Sequence, residues 1–227
     1  MKNLIIAVFA VFTQLFHAQN VYMTKVAKTH DNTDKFLYRI DEAKNAEYLG
    51  EVEIQGFSKY DAEVFSLIYK KAKEIGANAF SLKPFENVDG SPVNFNPANY
   101  RFNLYYLPKE KLEDQTGNLY LFASSDKPQT ISINRKNYIL PSRTYLKIKT
   151  VPGDVYTIST KKLLGSTIRL QPKLGEQNQY FQISATKIKP DDSGVGGLNL
   201  KSGDIIGLEK SYAEFLSTIY TKDKQSN

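Results

Sequence analysis

From Asn118 onward the chain is a succession of short segments, "NLYLFAS", "QTISINR", "YLKIKTV", "DVYTIST", "STIRLQP" and "YFQISATKI", rich in β-branched residues and tyrosine and spaced about ten residues apart. Turn signals such as "PGD", with Pro152 and Gly153, stand between them. Strands of that length at that spacing predict an all-β sandwich. Only "SYAEFLSTIY" breaks the pattern: Tyr212, Phe215, Leu216 and Ile219 recur at helical spacing, which predicts a C-terminal helix capping an open edge or end of the sandwich. With 15 tyrosines and no tryptophan, strands have bulky side chains that pack an apolar ring and keep a polar tip in water.

The first half has a different grammar. In "AEYLGEVEIQ", Leu49, Val52 and Ile54 alternate loosely with Glu51, Glu53 and Gln55, the mark of a strand with one wet face. A helix follows, opened by Ser58 or Asp61 as cap, with Val64, Leu67, Ile68, Ala72 and Ile75 on its buried stripe. Gly76 sits where the chain needs a left-handed residue to stop the helix. Ala77 and Ala79 let the helix end lie close to a sheet, and Asn78 is placed to bond freed helix carbonyls or turn backbone. "NAFSLKP", "YRFNLYYL" and "KFLYRI" supply further strands. The expected architecture is α+β: a small β-α-β-β domain over residues 19–108, a linker over 109–117, and the sandwich with its helix over 118–227.

Residues 1–18 read as a secretory signal peptide: Lys2, an apolar run from Leu4 to Phe12, then a polar fade to Ala18. The run is short of the ~20 residues of a membrane span, so the mature chain is expected to begin near Gln19, with no transmembrane segment, in the periplasm, at the outer membrane or outside the cell. The chain has no cysteine, hence no disulfides and no lipid-bearing cysteine, and it must fold on packing alone. Charge divides unevenly, with 13 basic and 15 acidic residues over 19–117 against 16 and 9 over 118–227, net +7 in the second half. Export and this mixed charge argue against nucleic acid as a partner.

"LGEVEIQG", followed by a helix and "AKEIGANAFSLKP", resembles the small α/β module of the stress-sensing outer-membrane lipoprotein of the Rcs phosphorelay and related periplasmic families. The resemblance spans about a third of the chain and implies an envelope domain used for contacts rather than catalysis. The family's lipid-bearing and disulfide cysteines have no counterpart here, so its anchoring and signalling roles are not carried over. "ISINRKNYILPSRTYLKIKTVPGDVYTIST" resembles PEGA-type and related secreted bacterial β-sandwich domains through Ile131, Ile133 and Asn134, then Pro152 and Gly153, then "LGEQNQYFQI". It departs at the turn, where Arg135 and Lys136 stand in place of a glycine. That resemblance implies a small binding or scaffold fold without a shared active site.

The residue inventory restricts catalysis. A cysteine nucleophile is impossible, and His30 is the one histidine beyond the leader, so a Ser-His-Asp triad would rest on it alone, with no nucleophile-elbow motif beside it. Zinc sites of His and Cys are excluded by count. In "HDNTD", Asp31, Asn32 and Asp34 offer oxygen ligands to a hard cation, yet no glutamate closes a ligand loop and Asx turns use the same residues. The stretch Ser193–Gly203 is glycine-rich without the Lys-Ser/Thr of a phosphate loop and reads as a connector. No cofactor is expected. A hydrolase with unidentified acidic residues is the remote alternative.

The remaining feature is basic and aromatic. Along "RTYLKIK", Leu146 and Ile148 fall on one strand face and Tyr145, Lys147 and Lys149 on the other. With Arg143, Arg135, Lys136, Lys161 and Lys162 nearby in sequence, they make a candidate surface for an anionic envelope glycan or polymer, or simply a solvated face. The leading expectation is an exported, non-enzymatic accessory or scaffold protein contacting another protein in a Gram-negative envelope. The polymer binder is its alternative.

Overall fold

The computed structural model describes residues 20–112, 115–161, 165–184, 201–202 and 204–225. The expected leader, Lys162 and most of the glycine-rich stretch Ser193–Gly203 lie outside the described residues. The fold is α+β, with three sheets and, among the described residues, two α-helices. It divides into two compact units: the first takes the chain up to Asp34 and Ile40–Tyr106, the second Lys35–Arg39 and everything from Leu107 on. The strand expected of "KFLYRI" is present but short: only Tyr38–Arg39 is extended, as β2, and these residues group with the second unit.

In the first unit β1 (Asn20–Val26), β3 (Glu47–Gln55), β5 (Asn99–Tyr106) and β4 (Ala79–Leu82) lie side by side in that order, every neighbouring pair antiparallel. Helix α1 (Asp61–Glu74) joins β3 to β4, and β5 inserts between them. One sheet face is apolar and buried, with Val52, Ile54, Phe80, Phe102 and Leu104, as are Val64, Phe65, Ile68 and Ala72 of the helix. The expected Val64, Ile68, Ala72 and Ile75 are buried, while Phe65 joins the stripe and Leu67 is exposed. Alternation in β3 is loose because a bulge falls between Tyr48 and Gly50, so Leu49 and Gly50 are both buried. Neither Ser58 nor Asp61 caps α1: Ser58 Oγ accepts from Tyr60 N, Tyr60 is the cap residue without a side-chain bond, and Asp61 is the first helical position.

The second unit is two sheets around one core. The first has the order β11 (Thr167–Leu170), β10 (Tyr156–Thr160), β7 (Gln129–Ile133), β8 (Lys136–Leu140). The other runs β13 (Lys201–Ser202), β14 (Ile205–Gly207), β12 (Gln179–Ile183), β6 (Asn118–Phe122), β9 (Thr144–Lys149), β15 (Thr221–Lys222). Leu119, Leu121, Leu146, Ile183 and Ile205 of the six-stranded sheet pack with Ile131, Ile133, Leu140 and Ile158 of the four-stranded one. The stretch expected as a free linker is partly stitched into this unit: Gly117 N donates to Glu176 O and Asn178 N to Gln115 O.

Helix α2 spans Lys210–Ile219. It lies beside β12 and β15, and its buried residues Ala213, Phe215, Leu216 and Ile219 supply a second apolar layer. The reason is on the six-stranded sheet itself. Tyr120, Phe122, Tyr145 and Tyr180 alternate with the inward leucines, so its outer face is aromatic and needs a cover.

Candidate functional site

The junction "KKAKEIGANAF" proves to be a helix stop clasped by another part of the chain. Gly76 has φ +79°. Its N–H donates to Lys73 O and that of Ala77 to Ala72 O, the paired bonds of a Schellman motif. The segment 28–34 runs across this helix end. His30 N donates to Ile75 O and Asn32 Nδ2 to Gly76 O, while Lys73 Nζ donates to Asp34 O and Ala77 O. Burial pulls the Lys73 ammonium down to about 8, with the nearby Asp34 carboxylate working against the shift.

Asn32 Oδ1 accepts from Asp34 N, and buried Asp34 accepts from Asn78 Nδ2 at 3.4 Å. Of the oxygen ligands suggested by "HDNTD", those of Asn32 and Asp34 are thus engaged within the protein, while Asp31 is exposed. Asn78 bonds Asp34, and Asn32 reaches the Gly76 carbonyl at the helix end. The His30 ring stacks on Tyr106 at 3.6 Å. Among the described residues, no three His, Cys, Asp or Glu side chains gather as a metal-binding group.

The basic strand face is only partly as expected. Leu146 and Ile148 do point to the core and Tyr145, Lys147 and Lys149 away from it, in register with Phe122, Tyr120 and Asn118 of β6. The outer face is not uniformly wet, however. Tyr145 is buried in an aromatic cluster, its ring 5.4 Å from that of Phe122 and 6.1 Å from that of Tyr120, so it is not available to a ligand as read from the sequence. Lys147 lies half-buried over the Tyr120 ring, and Lys149 is exposed.

The other cations are elsewhere. Arg143, at φ +54°, precedes β9 at its opposite end and stacks on Tyr220. Arg135 and Lys136 belong to the β7–β8 hairpin of the other sheet, and Lys161 is exposed just after β10. The turn that lacks a glycine is nonetheless tight: Asn134 and Arg135 take φ +47° and +71°, the two central positions of a type I′ hairpin. Asn134 secures it, donating from Nδ2 to Val155 O and accepting at Oδ1 from Thr157 N. Pro152 and Gly153 form the expected turn, with Gly153 at φ +88° and Asp154 N donating to Val151 O.

Beside this hairpin the two sheets part around a cavity of about 350 Å³. It is a half-open recess lined by Ile133, Leu146 and Ile148, by Tyr138 and Tyr156, and by exposed Lys136. The sequence hides it because its walls come from β7, β8, β9 and β10, and because "KNYIL" is not among the expected strands. Half-buried Glu214 on α2 is equally invisible: its Oε2 accepts from Arg39 N at 2.7 Å, and a helix read as a simple cap gives it no role. Comparison with family models, with curated proteins and with solved structures finds no match to this chain.

Proposed function

We propose that the chain is an exported, non-enzymatic module that makes protein contacts in a Gram-negative cell envelope. One observation carries the reading. Phe57 and Tyr60 follow β3, while Val88, Val93 and Phe95 belong to the loop that enters β5, and Gly56 N donates to Ala98 O between the two stretches. One end of the first unit therefore presents five large apolar side chains to solvent, each at least 40% exposed. Such a concentration is costly in water and marks a contact surface. The groups that would attract a catalytic reading are engaged in holding the fold: His30 on Tyr106, Asp34 on Asn78, Glu214 on the Arg39 backbone. Among the described residues no helix is long and apolar enough to cross a membrane.

A second reading, capture of an anionic polymer, draws on Lys147 and Lys149, which share an outer sheet face in the basic half of the chain. Pull-down from envelope fractions with two variants separates the two. Phe57→Ser combined with Tyr60→Ser and Phe95→Ser should release the protein partner, whereas Lys147→Glu with Lys149→Glu should leave capture unchanged and tolerant of moderate salt. The polymer reading takes over if the double glutamate variant, or salt that screens exposed charges beyond ~8 Å, abolishes capture instead. Export is checked by the mass of the mature N-terminus, expected at or near Gln19. An intact Met1 on protein recovered from the cytoplasm would remove the envelope assignment.

A further inference from the structure

The cavity at the β7–β8 hairpin is built for a ligand of particular chemistry, and the geometry points to a small amphipathic anion, an acyl or aryl chain bearing a single carboxylate. Its volume of about 350 Å³ lies at the small end of the ~300–1,000 Å³ typical of ligand pockets. Its lining is aliphatic in part, and the tyrosine rings favour a flat or extended apolar body.

Its polar groups are largely engaged. The Asn134 side chain uses both ends of its amide on Val155 and Thr157, and the Tyr156 hydroxyl accepts from Val151 N. A sugar, which needs many partners at once, would find few here. Lys136 is different. The residue is exposed and its ammonium sits 5.3 Å from the Tyr138 ring centre, where a carboxylate can reach it while the chain behind packs on the aliphatic lining. One cation over an apolar chamber selects a molecule with one anionic head and an apolar tail. Gln225 also lines the cavity and adds an amide near the head.

The test uses the full chain and three probes: octanoate, octanol and acetate, titrated while backbone amide resonances are followed by NMR. Octanoate should shift the amides of Lys136, Tyr138 and Ile148 and bind at least tenfold more tightly than octanol, with acetate inactive over the same range. Lys136→Met, at an exposed position, should bring octanoate down to the level of octanol without altering the melting curve. Ile148→Trp, which fills the chamber, should abolish both. Because that variant can also perturb the core, the Lys136→Met comparison stands by itself. Equal binding of octanoate and octanol, shifts scattered away from the lining, or no octanoate binding up to its solubility limit would each overturn the assignment.

Discussion

Replacing Gly76 with alanine should destabilise the first unit by about 3 kcal/mol or more, well beyond the roughly 1 kcal/mol that a positive φ alone costs a side chain. The larger figure comes from a neighbour far away in sequence. A Cβ added to Gly76 would fall well under 3.0 Å from the carbonyl oxygen of His30. That atom is backbone, so no rotamer change relieves the clash. The segment crossing the helix end is also pinned, by His30 N on Ile75 O and by Asn32 on Gly76 O. Either these bonds break or the Schellman turn opens.

Gly76→Val should be no better tolerated, and Lys70→Ala, at an exposed position of the same helix, should be close to neutral. Lys73→Ala is not a suitable control, since its ammonium holds two carbonyls. Hydrogen exchange at Phe102 and Leu104, in the core of the unit's sheet, reads the effect without interference from the second unit. Equal protection in the Gly76→Ala and Lys70→Ala proteins would remove both the clash and the helix stop from the account. Gly50 is a parallel case, since a methyl group there would run into the backbone oxygen of Lys25. The two glycines of "LGEV" and "IGAN" thus serve one purpose, the close passage of residues 25–30 over the bulge and the helix end.

These contacts mark the boundary of what a sequence discloses. The helix stop is legible because it is local: apolar spacing up to Ile75, then a glycine, is sufficient to place it. The crossing segment is not, because "KTHDNTDK" has no periodicity and its bonds go to backbone carbonyls, which every sequence possesses. Strand alternation correctly divides Leu146 and Ile148 from Tyr145, Lys147 and Lys149, but alternation says only that two faces differ. Whether the second face meets water depends on what else covers it, and Tyr145 is buried with Tyr120 and Phe122 in a layer that α2 completes. Strand β8 is hidden for a different reason. Asn134 and Arg135 adopt left-handed backbone without glycine, so "SINRKNY" carries no turn signal beyond its asparagines. Losing that strand also conceals the cavity, one wall of which it forms.

Glu214→Gln should make the protein more stable at pH 8 and leave it unchanged at pH 4. Burial raises the Glu214 carboxyl from 4.5 to about 7. The Arg39 backbone N–H and the Lys210 charge oppose the rise, Glu209 adds to it, and the Arg39 charge opposes it further. A carboxyl whose folded value lies above its unfolded value is protonated in both states below pH 4.5, where it costs nothing. Between pH 4.5 and 7 the unfolded chain ionises first and the folded state loses stability. Above pH 7 the loss levels off at about 3 kcal/mol, the free energy of a shift of that size. Glutamine keeps an oxygen for Arg39 N–H, which now bonds Oε2 at 2.7 Å, and does not titrate. Subtracting the two denaturation profiles cancels the other carboxylates that titrate in this range. The difference should rise from near zero at pH 4 to its plateau by pH 8. Glu214→Leu should behave otherwise, since it leaves the Arg39 N–H without this acceptor at every pH and adds a constant penalty. A Gln-minus-Glu difference that stays flat from pH 4 to pH 8 would show that Glu214 titrates alike in the folded and unfolded chain, with Arg39 and Lys210 cancelling the effect of its burial.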